Sequence, residues 1–133
     1  VSKFNRPDKV WQAGRNVLRD MGPLLYSAAN PEASIIGQAL GKAGVLLSEI
    51  KLVLFHQANI RIIDLVLEQM KRAGFKGLVF NTIDRFGNTT SPTLPLGLAI
   101  AYEEGLLQKG DRVFTCGFGG GYTAGTAIFF WTI

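Results

Sequence analysis

The chain has 133 residues, 47% of them apolar, with a mean hydropathy of +0.21, one cysteine and a formal charge of +4. That length suits one domain with a real core, and a single cysteine excludes an intramolecular disulfide and any cysteine-based zinc cluster. No apolar run, the longest being near Ala127–Trp131, approaches the ~20 residues of a membrane span, and no dense Lys/Arg cluster with interleaved aromatics points to nucleic acid.

The high apolar share predicts buried strands or a large apolar interface. Lys3, Arg6, Lys9, Arg15 and Arg19 face only Asp8 and Asp20, a basic excess that suits an acidic protein or a phosphate-bearing molecule. Nothing resembles a signal peptide, and the first residue is Val1, so a trimmed, processed or excised segment is expected. The lone cysteine makes a reducing cytoplasm the default location.

Residues 1–20 carry no clean period, and Val17–Met21 is expected as a short strand. Asn30-Pro31-Glu32 predicts a helix start, with Asn as N-cap and Pro at the first helical position. Ile35, Ile36, Ala39, Leu40 and Ala43 then mark one helix face, and Gly44 stops it. Lys51–Phe55 is expected as a strand, and its apolar run, Leu52 to Phe55, reads as buried. It delivers His56, the chain's only histidine, to its end. A helix is predicted from about Asn59 to Ala73, with Ile62, Ile63, Val66, Leu67 and Met70 as the buried stripe and Arg61, Asp64, Glu68 and Arg72 opposite.

Leu78–Phe80 is expected as a short strand and Asn81–Thr90 as a polar loop. Ser91-Pro92 opens a third helix whose body, Leu94 to Tyr102, is apolar nearly all round and is therefore expected to be central and buried. Lys109-Gly110-Asp111 is a turn. Arg112–Cys116 and Thr126–Ile133 read as strands joined by Gly117–Tyr122, the last one lacking alternation, as a strand covered on both faces would. The order βαβαβαββ predicts an α/β domain with a mixed, mostly parallel sheet layered with helices.

Three stretches can carry chemistry. His56 sits where α/β sheets bind ligands, at the carboxyl end of a strand, and imidazole suits proton or hydrogen-bond work near neutral pH. Local sequence leaves it open whether His56 is functional or a core histidine satisfied by a backbone carbonyl. Phe86-Gly87-Asn88-Thr89-Thr90 taken alone is a turn. Gly119-Gly120-Gly121-Tyr122-Thr123-Ala124 formally fits a dinucleotide pattern, but a strand follows it and only nine residues remain for a ribose-binding acid, so a nucleotide is excluded. Such glycines do permit close approach of backbone N–H groups to a substrate oxygen.

Taken together, His56-Gln57-Ala58-Asn59-Ile60-Arg61, Gly87-Asn88-Thr89 and Gly117-Phe118-Gly119-Gly120-Gly121 resemble the C-terminal half of a β-ketoacyl-acyl-carrier-protein synthase III, a condensing enzyme of the thiolase superfamily. The likeness covers roughly residues 21–133, with 1–20 poorly matched, and the whole chain is expected to be one domain. Thiolases, synthases I and II and plant-type polyketide synthases differ at one or more of these three motifs.

The resemblance implies one half of a thiolase-type fold and a decarboxylative Claisen condensation. An acyl group sits on a nucleophilic cysteine, and a malonyl thioester on carrier protein is decarboxylated and joined to it. By the same resemblance His56 and Asn88 are the catalytic pair that hydrogen-bonds the thioester oxygen as the enolate develops. Gly120 supplies an N–H to the oxyanion hole over the acyl-cysteine, Phe118 lines that site, Asn59 helps hold the pantetheine region and Arg61 meets the acidic carrier protein. The family's second basic pair falls at Glu68 and Gln69 here and is not carried over.

No permanent cofactor or metal is implied; coenzyme A and phosphopantetheine thioesters are the substrates. Acyl carrier protein, acyl-CoA and the missing N-terminal half are the implied partners, with a homodimer as the assembly, and no membrane or nucleic acid is implied. The family's nucleophile belongs to the other half, and Cys116, in a strand pattern with its neighbour Gly117 at the thiolase position, is expected to be a buried core thiol facing away from the site. Thr90-Ser91-Pro92-Thr93 replaces the family's usual small-residue run. An acyltransferase or secondary-metabolite relative of the same fold, or a non-catalytic subunit of a split synthase, therefore stands as an alternative.

Overall fold

A computed structural model describes residues 20–57, 59–119 and 123–133. Residues 20–25 are helical (α1), so the short strand expected at Val17–Met21 does not include Met21, and residues 17–19 lie outside the described ones. Met21, Leu25 and Tyr26 are buried, so this segment contributes a helical face to the core rather than a strand.

The second helix, α2, spans Ile35–Ala43 and not the stretch from Asn30. Pro31–Ala33 form a separate 3-10 turn in which Asn30 makes no cap bond. Ser34 is the true N-cap: its buried hydroxyl donates to the Pro31 carbonyl at 2.6 Å and accepts from Gly37 N–H at 3.1 Å. Gly44, at φ 65°, ends the helix as expected.

Strand β1, Leu52–Phe55, is buried on both faces. Asn59 caps α3, Ile60–Arg72, accepting from Arg61 N–H at 2.9 Å. The predicted stripe holds: Ile62, Ile63, Val66 and Met70 are buried, Leu67 is half-buried, and Arg61, Asp64, Glu68 and Arg72 are exposed. Strand β2, Leu78–Phe80, leads into a one-turn helix, α4, Ile83–Phe86, inside the segment expected to be loop.

Helix α5 spans Thr93–Glu103, so Pro92 stands at the N-cap position rather than Ser91, with no side-chain cap bond, and Thr93 Oγ1 donates to the Thr90 carbonyl at 2.7 Å. Its burial is one-sided. Thr93, Gly97 and Ala101 form the stripe on the sheet, while Pro95, Ala99 and Tyr102 are exposed, so the helix is not sealed all round. At Gly97 the helix lies directly on β1, where an added Cβ would meet Leu54 side-chain carbons at 2.7 and 2.8 Å.

Strands β3, Arg112–Gly119, and β4, Thr123–Phe130, form a hairpin whose ladder runs to Gly119↔Thr123. Gly117, Phe118 and Gly119 are thus strand residues rather than loop. Strand β4 is not covered on both faces: Thr123–Ala127 and Phe130 are exposed, and within the described sheet it is an edge strand.

The sheet order is β2-β1-β3-β4, with β1 parallel to both β2 and β3 and only β4 antiparallel. This is the mixed, mostly parallel α/β architecture expected from the sequence. Alternation along the strands separates two cores. Val53, Phe55, Phe114 and Cys116 join α1, α2 and α3 on one face; Leu52, Leu54 and Val113 lie under α5 on the other.

Gly77, on the approach to β2, is surrounded by backbone: an added Cβ would stand 2.5 Å from the Ile50 carbonyl and 2.6 Å from that of Lys51. Gly41, inside α2, has open space around the same point. Gly77→Ala is therefore expected to destabilise the chain by about 1–3 kcal/mol through overpacking. Gly41→Ala should stabilise it by about 0.5–1 kcal/mol through helix propensity. Urea midpoints of the two variants beside wild type check both signs.

Candidate functional site

The parallel strands β1, β2 and β3 end on the same edge of the sheet, the edge where such folds place ligands. Beyond Phe55 comes His56, beyond Phe80 the segment leading through α4 to Asn88, and near the end of β3 stand Gly117 and Phe118. These meet in a cleft of about 330 Å³ lined by His56, Thr90, Ser91, Leu94, Gly117 and Phe118.

His56 is half-buried and its backbone N–H extends the sheet pairing, donating to the Cys116 carbonyl at 2.9 Å. Its imidazole stands edge-on to the Phe118 ring, centroids 5.6 Å apart and planes at 82°. Among the described residues the imidazole has no hydrogen-bond partner, unlike a core histidine satisfied by a carbonyl. Gly117 faces Leu94 in the cleft: a Cβ there would stand at ordinary contact distance, 3.7 Å, from Leu94 Cδ1.

Asn88 follows Gly87, whose φ of 64° and ψ of −155° belong to glycine alone. The Asn88 side chain is exposed and is not among the residues lining the cleft, but the loop it opens is, through Thr90 and Ser91. Its Oδ1 accepts from Thr90 N–H at 2.9 Å, which leaves the Nδ2 amide as the group able to donate. Thr90 itself has φ 57°, unusual for a β-branched residue, and is held there by Thr93 Oγ1 on its carbonyl.

Of the other residues singled out in the sequence, Phe118 lines the cleft, Asn59 and Arg61 stand exposed at the start of α3, and Gly120 lies outside the described residues. Asn59 has a structural task as the α3 cap. Arg61 has no ion pair among the described residues.

Thr90, Ser91 and Leu94 line the cleft without having been singled out individually. So does Gln57 escape notice, a fully buried amide beside His56 whose partners lie 25 and 26 positions away. A polar residue after an apolar run gives no hint of such distant partners. Among the described residues no group of three or more His, Cys, Asp or Glu converges where a metal could sit, and no helix is long and apolar enough to cross a membrane.

Residues 40–131 match the family described as 3-oxoacyl-[acyl-carrier-protein] synthase III C terminal. The chain belongs to this family. It is 39% identical over 101 residues to a β-ketoacyl-[acyl-carrier-protein] synthase III of Campylobacter jejuni, a match covering 76% of this chain and 31% of that one. It is 34% identical over 127 residues to the Fusobacterium nucleatum synthase III, covering 96% and 36%. The crystal structure of the Thermus thermophilus synthase III superposes with a TM-score of 0.72 at 34% identity, covering 89% of this chain and 34% of that one. The chain thus spans about a third of the length of these relatives.

Cys116 is fully buried beside Phe55 in the α3-side core, as expected, and burial pushes its thiol from 9.0 up to about 12. A protonated, sealed thiol is no nucleophile. It should resist thiol reagents in the folded chain and react once the chain is unfolded.

Its linkage to stability follows from the raised value. Below pH 9.0 the thiol is protonated in folded and unfolded chains alike and the contribution is complete. As pH rises from 9.0 to about 12 the unfolded chain releases the proton first and stability is lost. The Tyr26 hydroxyl, also raised by burial, adds to the same alkaline slope. Cys116→Ala should flatten the fall in urea midpoint above pH 9.0 without abolishing it.

Proposed function

We propose that the chain is the C-terminal part of a cytoplasmic condensing enzyme of fatty-acid synthesis, joining an acyl group held on a cysteine to a malonyl thioester. The observation that carries this reading is the unpartnered imidazole of His56 in a cleft shared with the Asn88 loop, at the carboxyl ends of three parallel strands. The malonyl C–C bond breaks, CO₂ leaves, and the electron pair builds an enolate whose negative charge rests on the thioester oxygen. A neutral imidazole N–H and the Asn88 Nδ2–H are donors to that oxygen that carry no charge of their own. The enolate carbon then attacks the acyl carbonyl, and the cysteine leaves as thiolate.

That cysteine comes from outside these 133 residues, since Cys116 is sealed in the core. Gly120 would offer its N–H to the acyl carbonyl oxygen, with Phe118 packing beside His56. No cofactor is held permanently; acyl-CoA and phosphopantetheine thioesters are substrates, and Asn59 helps hold the pantetheine arm as well as capping α3. The exposed apolar side chains Tyr102, Phe130 and Ile133 suit burial against the other half, in a homodimeric whole.

Arg61 is the proposed contact to acyl carrier protein. A cation in the first turn of a helix opposes the macrodipole, which costs about 0.3–1 kcal/mol instead of helping. Helix stability therefore gives no reason for an arginine there, whereas an acidic partner does.

In the complete protein, His56→Ala and Asn88→Ala should each lower the condensation rate about 10²–10³-fold, followed by mass spectrometry of the β-ketoacyl product. Product formation by the 133-residue chain alone would contradict the proposal. Arg61→Glu should raise KM for malonyl-carrier protein roughly tenfold while leaving KM for malonyl-CoA nearly unchanged, and the difference should shrink with added salt.

A further inference from the structure

Helix α4 has one turn, Ile83–Phe86, too short to hold itself together in water. Its N-cap residue, Thr82, makes no side-chain cap bond, and Thr82 Oγ1 is buried without a partner. The cap comes from elsewhere in the chain. Gln57, fully buried, accepts with Oε1 from Thr82 N–H at 2.9 Å and from Ile83 N–H at 3.1 Å. Its Nε2 donates to the Phe55 carbonyl at 2.8 Å. One carboxamide thus ties the last residue of β1 to the first donors of α4.

What lies on either side of that tie is the proposed site. His56 is bonded to Gln57 along the chain. Helix α4, roughly 6 Å long at 1.5 Å per residue, ends at Gly87, and Asn88 is next. Among the described residues the other side-chain polar link from α4 to the fold is the Arg85–Glu104 pair at 2.8 Å, exposed on both partners.

We infer that Gln57 is a positioning residue that sets the distance between His56 and Asn88 by clamping α4 to the end of β1; this rests on the condensing reading given above. The amide is required in both its capacities. Methionine in its place would leave two backbone N–H groups at the start of α4 and the Phe55 carbonyl unpaired, whereas glutamate would keep the acceptor for the two N–H groups.

The test compares wild type, Gln57→Met, Gln57→Glu, Asn88→Ala and the Gln57→Met/Asn88→Ala double variant in the complete protein. It reads kcat and KM for condensation, and hydrogen exchange at the Thr82 and Ile83 amides. Gln57→Met should lower kcat about 10–100-fold with KM changed less than about threefold, and Gln57→Glu should retain more activity than Gln57→Met. In the Asn88→Ala background the same change should cost less than about threefold, because the group it positions is gone. Exchange at both amides should quicken at least about tenfold in Gln57→Met.

Equal losses in the two backgrounds, or wild-type kcat in Gln57→Met while Asn88→Ala is impaired, would overturn the inference and leave the catalytic reading standing. Full kcat in Asn88→Ala together with faster exchange in Gln57→Met would sink the catalytic reading and keep the clamp. If Gln57→Met does not fold, Gln57→Glu and a Gln57→Glu/Asn88→Ala double variant carry the comparison, and a loss of equal size in both backgrounds refutes it.

Discussion

Leu52 to Phe55 are sealed from solvent on both faces, paired with β2 on one side and β3 on the other. A strand held in that way cannot slip. A shift of one residue would exchange Leu52 and Leu54, which lie under α5, with Val53 and Phe55, which pack on α3. The register Phe55↔Cys116 therefore sets which atoms emerge at the sheet edge, and the His56 N–H bond to the Cys116 carbonyl carries the pairing one residue further. The imidazole is mobile only about its own side-chain bonds. The same pairing sets Gly117 and Phe118 opposite it and commits Cys116 to the interior.

The second wall of the cleft is built differently, from turns whose backbone angles are uncommon. Gly87 takes a conformation reserved for glycine, and Thr90 takes one that a β-branched residue rarely adopts. Strain of this kind costs about 1–3 kcal/mol and survives where neighbours impose it. Here they do: the Asn88 Oδ1 on Thr90 N–H and Thr93 Oγ1 on the Thr90 carbonyl leave the loop few alternatives. The first of these two bonds also occupies the Asn88 oxygen, which leaves its amide N–H as the group free to donate.

How much of this could be read in advance depends on the range of the interaction. Helix α3 announces itself because its burial follows the local period and strand β1 because its apolar run is unbroken, while His56 and Phe118, which line the cleft, sit in motifs; Asn88 sits in a motif too, but its side chain does not line the cleft. The start of α2 misleads because Asn30-Pro31 satisfies the usual rule, yet Ser34, with Pro31 and Gly37 as partners, closes a better one. Helix α4 is silent because its cap is 25 residues away in sequence. The apolar pattern of α5 and β4 calls for more cover than the described residues supply, so Tyr102 and Phe130 stand in solvent. A hydrophobic pattern records the contacts a segment is built to make, and it is blind to whether the partner is at hand.

Two cores separated by a sheet raise a question of how their contributions to one cleft stay aligned. His56 belongs to the α3 side through β1, whereas Thr90, Ser91 and Leu94 arrive with α5 on the other. Apolar packing is non-directional, whereas a hydrogen bond fixes its donor and acceptor in both distance and angle. Among the described residues two side-chain polar links tie α4, which leads into the Asn88–Ser91 loop, to the rest of the fold. The Arg85–Glu104 pair is exposed, and such pairs contribute about 0–1 kcal/mol. The Gln57 amide is fully buried, its three bonds are each worth about 0.5–1.5 kcal/mol, and each buried group left unpaired on its removal costs about 1–3 kcal/mol. The difference favours Gln57 as the residue that holds α4 against the end of β1, although Gln57 is not itself among the residues lining the cleft.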